Sequence, residues 1–470
     1  MSASPVTTLV AALLLAGCAS LTPPAVDSSA GVNAPAQWNN AASARAATDL
    51  PADSLADWWQ RFGDTELSRL VADALAANTD VASARAALRQ ARALRDVEQA
   101  QAGPRLDASG SAQRSRSNGA SASNSFRAGF DASWEPDVFG GNRAGVAASE
   151  ADVQASTASL GDVQVSVAAE VALAYLTLRG SEARLAIARD NLASQQDTAQ
   201  IAQWRVQAGL ATSIESEQAR ASVEQTRAQI PSLQKAIAQS RHQLALLTGR
   251  TIGELQLAAS NEVPQPASDL ALAFPADTLR QRADVRAAEA RVSAAAQRIV
   301  QADAARYPSF SLSGSLGLQA LTLSGLTGGG AVASALLASV SLPIFDGGAA
   351  KAQTAAQQAA YDQAREAHRS AVLVALKDVE DALVALQRDR ERLATLQQAA
   401  EAAGNAALLA RQRYGSGLVD FQTVLETQRS QLSAQDSVAA SRVDVATDHV
   451  RLYKALGGGW TPTPDNSKTS

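Results

Sequence analysis

Four short stretches of this chain alternate between apolar and polar residues, and long runs of helical spacing separate them. Residues 125–135 place Phe126, Ala128, Phe130, Ala132 and Trp134 on one face, with Ser125, Arg127, Gly129, Asp131, Ser133 and Glu135 on the other. Residues 309–320 do the same, setting Phe310, Leu312, Leu316 and Leu318 against Ser309, Ser311, Ser313, Ser315 and Gln319. Residues 105–113 and 332–342 are weaker versions. A period of two predicts strands in a sheet that is wet on one side. Residues 142–205 and 349–412 are almost free of proline and carry Ala, Gln, Val and Leu at three- and four-residue spacings, as at Val379, Leu383 and Leu386. At ~1.5 Å per residue these predict helices on the order of 95 Å long, packed through small residues in coiled-coil-like seams. A glycine turn follows each, at Gly209 and Gly417, and then a shorter returning helix. Two helical hairpins are expected.

The pattern occurs twice. Asp80-Val81-x-x-Ala84 and Pro104-Arg-Leu-Asp-Ala-Ser-Gly-Ser111 return as Asp284-Val285-x-x-Ala288 and Pro308-Ser-Phe-Ser-Leu-Ser-Gly-Ser315, at one common offset (284 − 80 = 308 − 104 = 204). Trp134-Glu-Pro-Asp-Val-Phe-Gly-Gly141 answers Ser341-Leu-Pro-Ile-Phe-Asp-Gly-Gly348, and Arg205-x-x-x-Gly209-Leu210 answers Arg413-Tyr-x-x-Gly417-Leu418. The same order of four features in both halves identifies a tandem duplication of about two hundred residues. The repeats are placed at 61–260, with a β-hairpin at 105–139 and a helical hairpin at 142–248, and at 261–459, with the equivalents at 309–345 and 349–456. Residues 114–125 and 321–331, rich in Ser, Gly and Asn, read as loops, and 460–470 as a flexible tail.

Strands of about 9–11 residues match an outer-membrane thickness, and apolar-out, polar-in alternation is the dyad of a transmembrane barrel. On alternation alone a half-exposed soluble sheet fits as well. Four strands cannot close a barrel, and an open edge in lipid leaves backbone groups unpaired at several kcal/mol each. In a membrane the strands must therefore come from several chains; two copies would supply eight and three would supply twelve.

The N-terminus bears on that choice. Residues 9–16 read LVAALLLA, too short to span a bilayer but suited to a signal-peptide core, although residues 1–17 hold no Lys or Arg. The run ends in Leu15-Ala16-Gly17-Cys18, and Cys18 is the only cysteine. Small residues before a lone Cys resemble a bacterial lipoprotein signal: residues 1–17 would be removed, and 18–60 would be an N-terminal extension with a covalent lipid on Cys18. Ala19 follows, where the enteric inner-membrane retention signal has Asp, so the outer membrane is the expected site.

Composition narrows the chemistry. Aromatics make up 4% of the residues within a 46% hydrophobic total, so close-packed helices of Ala, Leu and Val are favoured. Lys and Arg number 41 against 46 Asp and Glu, a net charge of −5, which argues against nucleic-acid binding. With one Cys and three distant His (His242, His368, His449), neither a disulfide framework nor a metal cluster is expected. Gly328-Gly329-Gly330 lacks the Gly-Lys-Ser/Thr of a phosphate loop, and H-E-x-x-H and G-x-S-x-G are missing, so no enzyme and no cofactor is indicated.

Taken in order, the opening Trp58-Trp59-Gln-Arg-Phe62-Gly-Asp64-x-x-Leu67-x-x-Leu70-Val71, then Asn78-Thr-Asp80, the two strand–glycine–helix corners and the two hairpin tips resemble one family. It is that of the TolC/OprM-like outer-membrane factors, in the lipoprotein (NodT-like) branch of tripartite RND efflux systems. The resemblance covers nearly the whole chain after the signal. It implies an α+β fold, a homotrimer with a 12-strand β-barrel and a 12-helix periplasmic α-barrel, and passive conduction of small molecules. It also implies a periplasmic adaptor and an inner-membrane pump as partners. Gate positions carry over to Tyr414, Glu426 and Arg429, where Glu426 replaces the family's usual Asp. Alternatively, Glu426 and Arg429 simply pair along one helix. Tips at Arg205, Gly209, Leu210, Arg413, Gly417 and Leu418 are implied to meet the adaptor. A duct for type I protein secretion and a non-conducting helical scaffold are the other readings of the same chain.

Overall fold

A computed structural model describes residues 21–27, 29–32, 38, 55–116, 122–266, 282–329 and 331–461. Cys18 and the signal segment 1–17 lie outside the described residues, as does 462–470. A 3₁₀ turn at Trp58–Phe62 leads into α1 (Thr65–Ala77) and α2 (Thr79–Gln101). The hairpin β1 (Arg105–Ser115) and β2 (Ser123–Trp134) comes next, then α3 (Gly141–Gln207) and α4 (Ser213–Leu247). The second half supplies α5 (Ala283–Ala304), β3 (Ser309–Ala320), β4 (Val332–Ser341), α6 (Ala349–Gly415) and α7 (Phe421–Ala455). The fold is α+β, mostly helical with one small antiparallel sheet. Both long helices have 67 residues and both returning helices 35. From the start of β1 to the start of β3 the offset is 309 − 105 = 204, whereas from α3 to α6 and from α4 to α7 it is 349 − 141 = 421 − 213 = 208. The step between the two offsets falls within the strand hairpins, whose loops span 116–122 and 321–331.

Two compact units are present, each drawn from both halves of the chain. The first comprises Met1–Val32, Ala86–Thr157 and Arg286–Ala371 and holds the sheet, in the order β1-β2-β3-β4. Its register sets one face throughout: Leu106 opposes Ala132, Phe130 opposes Leu316, and Leu316 opposes Ser334. The other face is polar and cross-linked, with Ser109 donating to Asp131 (2.6 Å), Arg127 to Gln319 (3.3 Å) and Ser311 paired with Ser339 (2.6 Å). Leu337 is an apolar residue on that polar face. Apolar side chains on the sheet stand open, Leu336 at 79% exposure. Gly129 and Gly317 face each other so closely that a Cβ on either would meet opposing backbone at under 3 Å, a contact only glycine allows. The loop expected at 114–125 is shorter than its composition suggests. Ser115 pairs with Ser123 and their hydroxyls meet at 3.2 Å, since serine ladders bond as well as apolar ones pack. In this unit Val26 packs on Val292, Ala295, Ala296 and Tyr361, and Tyr361 donates to the Ala25 carbonyl at 3.2 Å. The chain entering from the N-terminus is thus fixed on the helices.

The second unit comprises Asn33–Arg85, Ala158–Val285 and Val372–Ser470. The opening aromatic motif is part of its core. Trp58 is fully buried, stacks on Tyr453 at 5.2 Å and meets Trp59 and Phe62 edge-on. Asp64 caps α1 through the Glu66 and Leu67 amides and accepts the Tyr175 hydroxyl at 2.7 Å. Tyr175 accepts from Arg179, which donates to Glu182, which also accepts from Arg241, so each charge in this chain of bonds has a partner. Small residues allow close helix packing. A Cβ on Gly180 would stand 2.3 Å from Val443, and one on Gly161 2.6 Å from Trp460.

Candidate functional site

The tips of the two helical hairpins, both in the second unit, bring the candidate residues together. α3 and α6 end in the same way. Leu210 N–H reaches the Arg205 carbonyl (2.8 Å) and Gly209 N–H the Val206 carbonyl (3.0 Å), while Leu418 and Gly417 make the equivalent bonds to Arg413 (2.9 Å) and Tyr414 (3.0 Å). Gly209 and Gly417 hold φ of 73° and 72°. This helix-ending geometry requires a positive φ, which explains glycine at both turns. Leu210 and Leu418 are exposed beside these turns.

Side chains lock the tips together around Tyr414, which is buried among Ala202, Ala219, Ala410, Phe421, Val424 and Leu425. The Arg205 guanidinium lies 4.4 Å from the centre of the Tyr414 ring and donates to the Tyr414 carbonyl at 3.1 Å. Phe421 packs on the ring at 5.3 Å, and the Tyr414 hydroxyl donates to Glu215 at 3.1 Å. Burial raises the phenol above its ordinary pKa, the Arg205 charge opposes that and Glu215 adds to it, so Tyr414 stays a neutral donor. Arg205 in the last turn of α3 and Glu215 in the first turn of α4 also suit the helix dipoles. One turn deeper, Gln428 donates to Thr198 at 2.9 Å, with both side chains buried.

Glu426 and Arg429 do not pair along α7. Glu426 instead accepts from Gln422 at 3.1 Å, and Arg429 is exposed with no ion-pair partner among the described residues. Three residues apart, they face solvent in rotamers that a surface pair worth a few tenths of a kcal/mol does not override. Arg205, expected at an outer docking surface, is turned inward onto Tyr414. Arg413 is exposed, as its expected role requires.

Two residues of the site escaped the sequence reading, Glu215 and Phe421. Glu215 sits in Thr212-x-x-Glu215, the spacing of a capping box. Thr212 makes no side-chain cap, however, and the Glu215 carboxylate goes to Tyr414. That spacing was a signal for an anchored carboxylate, though not for its partner. Among the described residues no group of His, Cys, Asp and Glu could hold a metal ion.

The family described as outer membrane efflux protein matches residues 70–250 and again 274–458. The chain is 32% identical to the pyoverdine export outer membrane protein OpmQ of Pseudomonas aeruginosa over 471 residues, covering 96% of each. It is 30% identical to the toluene efflux pump outer membrane protein TtgF of Pseudomonas putida over 429 residues, covering 89% of each. Among solved structures, the outer-membrane channel OprN matches with a TM-score of 0.88 at 33% identity, over 94% of this chain and all of that one.

Proposed function

The chain belongs to the outer membrane efflux protein family and is an outer-membrane efflux channel, and from that premise we propose that three copies form an exit duct shut at its hairpin tips. The observation that carries this reading is the sheet. It has one apolar and one polar face, both uncovered, and its outer strands β1 and β4 each have an unpaired edge. Such a sheet is stable in lipid only when closed by further strands, and three copies supply twelve. The apolar face then meets lipid and the polar face lines a wet passage. Conduction in this reading is passive. A periplasmic adaptor meeting the exposed tips at Leu210, Arg413 and Leu418, and an inner-membrane pump behind it, provide the drive. A lipid on Cys18 anchors the N-terminus, and the docked Ala25–Val26 segment limits its reach.

The gate in this reading is the Arg205–Tyr414–Glu215 clasp, which fixes one hairpin tip to the other, together with Glu426 and Arg429, which remain open to a neighbouring copy. A cation–π contact and a charge-assisted hydrogen bond amount to a few kcal/mol per chain, strong enough to hold and weak enough for adaptor binding to release. Expression in a strain deleted for its own exit duct tests the reading. Restored efflux of a fluorescent dye is expected. No efflux from folded protein in the outer membrane contradicts it, and export of a large polypeptide instead favours the secretion duct.

A further inference from the structure

Charge is unevenly placed on the two strand hairpins. Residues 108–130, which include the first hairpin loop, carry Arg114, Arg116 and Arg127 and no Asp or Glu. Residues 309–345, the second hairpin, carry no charged residue at all. The acidic groups of the sheet, Asp107 and Asp131, stand opposite each other near the end where the helices join. β1 follows α2 and β2 leads to α3, just as β3 follows α5 and β4 leads to α6. Both hairpin loops therefore lie at the sheet end away from the helices. In an outer-membrane channel whose helices extend into the periplasm, that end is the outer one. The sheet has a mixed inner end and a purely basic outer end.

Neutralisation follows the same division. At the inner end Arg105 pairs with Asp107 at 2.8 Å, and Asp131 accepts from Ser109 at 2.6 Å. Farther out, Arg127 is exposed on the polar face, opposite Ser111 on one side and Gln319 on the other. It donates to the Gln319 amide oxygen at 3.3 Å and has no carboxylate partner among the described residues. Asp131 is four residues away along β2, ~13 Å of strand. That is longer than the Debye length of ~10 Å at about 0.1 M salt, so the acid leaves the guanidinium charge largely uncancelled. Arg114 also lacks an ion-pair partner among the described residues, but it stands on the apolar face, opposite Asn124.

We propose that Arg127 makes the outer end of the duct select for anions. The inference rests on the multi-copy reading above and adds the sign of the charge that passes most readily. Three copies set three Arg127 guanidiniums around one wet passage, and a ring of arginines draws anions as a ring of carboxylates draws cations. The solutes favoured at this end are small organic anions bearing carboxylate, sulfonate or phosphate groups, whose oxygens the guanidinium fork matches. Arg114 carries the same charge on the lipid side and is the internal control.

Reversal potentials across planar bilayers in a potassium chloride gradient test the assignment. Protein carrying Tyr414→Ala/Glu426→Ala/Arg429→Ala serves as the background, because that change removes one charge of each sign from the tips and leaves the outer end intact. Chloride should permeate more readily than potassium at about 0.1 M salt, and the preference should fade at about 1 M, where the Debye length is ~3 Å. Adding Arg127→Gln should lower the chloride-to-potassium permeability ratio roughly threefold. Arg127→Lys should keep the ratio, Asp131→Asn should raise it, and Arg114→Gln should change it far less than Arg127→Gln does. A conducting Arg127→Gln protein with an unchanged ratio overturns the assignment and leaves the duct standing, and so does an equal fall in Arg114→Gln. No current from any of these proteins, shown to be folded, overturns the duct reading itself and the inference with it.

Discussion

The two hairpin tips share a backbone and differ in their side chains. Each turns at a glycine of nearly equal φ with the same pair of closing hydrogen bonds. Yet at the offset that relates the helices, Tyr414 corresponds to Val206, Phe421 to Ser213, Asp420 to Thr212, Glu426 to Gln218 and Arg429 to Ala221. Arg205 and Arg413 match, as do Leu210 and Leu418, but the two arginines diverge: Arg205 lies on the Tyr414 ring while Arg413 is exposed. Duplication supplied two geometrically equal ends, and substitution gave them different side chains. The clasp is asymmetric because Tyr414 belongs to the second tip, whereas Arg205 and Glu215 come from the first.

The largest effect should come from breaking that asymmetry. Tyr414→Ala removes a buried ring and should cost about 3–5 kcal/mol of local stability, read by hydrogen exchange at the tips. Val206→Ala, its half-buried counterpart, should cost under about 1 kcal/mol. Equal effects would mean that the two tips are energetically alike.

A second contrast lies along the returning helices, where His449 stands at the position of Arg241. Arg241 pairs with Glu182 at 3.0 Å. His449 is buried, bonded through Nδ1 to the Val445 carbonyl (2.7 Å) and through Nε2 to Arg390 (2.8 Å), and burial pushes its pKa down to about 4. Between the ordinary His value near 6.5 and 4 the unfolded chain holds the extra proton, so stability is full above that window and falls as the pH drops through it. The loss should be about 3 kcal/mol. Neighbouring Asp448 acts with opposite sign, because burial and the adjacent Asp389 raise its pKa and protonation relieves it. Acid unfolding of Asp448→Asn should therefore show the His449 slope undiluted, and adding His449→Gln should flatten it.

Smaller effects sharpen the backbone side of the comparison. Gly209→Ala and Gly417→Ala should each cost about 1–2 kcal/mol through positive φ alone, since open space surrounds both positions. Matching melting shifts are expected. Asp420→Ala should loosen the first turn of α7, because Asp420 accepts from the Thr423 amide at 2.9 Å, whereas Thr212→Ala should leave α4 unchanged because Thr212 makes no side-chain cap. Amide exchange in the two first turns separates them.

Strand faces, the duplication and both hairpins were legible in the sequence because a period of two, a repeated motif order and a proline-free run each reflect a local constraint. Pairings across the fold were not. Glu215 reads as a capping residue and becomes the acceptor of a phenol 199 positions away. Glu426 and Arg429 have the spacing of a helix-surface pair and do not form one. The Gly129–Gly317 approach depends on a register that neither strand encodes alone. Each of these depends on a distance between elements, which local patterning does not carry.

A closed duct released at its tips should reveal itself in planar-bilayer conductance. Wild type should show small, flickering currents, and a Tyr414→Ala/Glu426→Ala/Arg429→Ala variant should conduct several-fold more. Equal currents from folded trimers of both would contradict the clasp as the gate, and no current from either would contradict the duct.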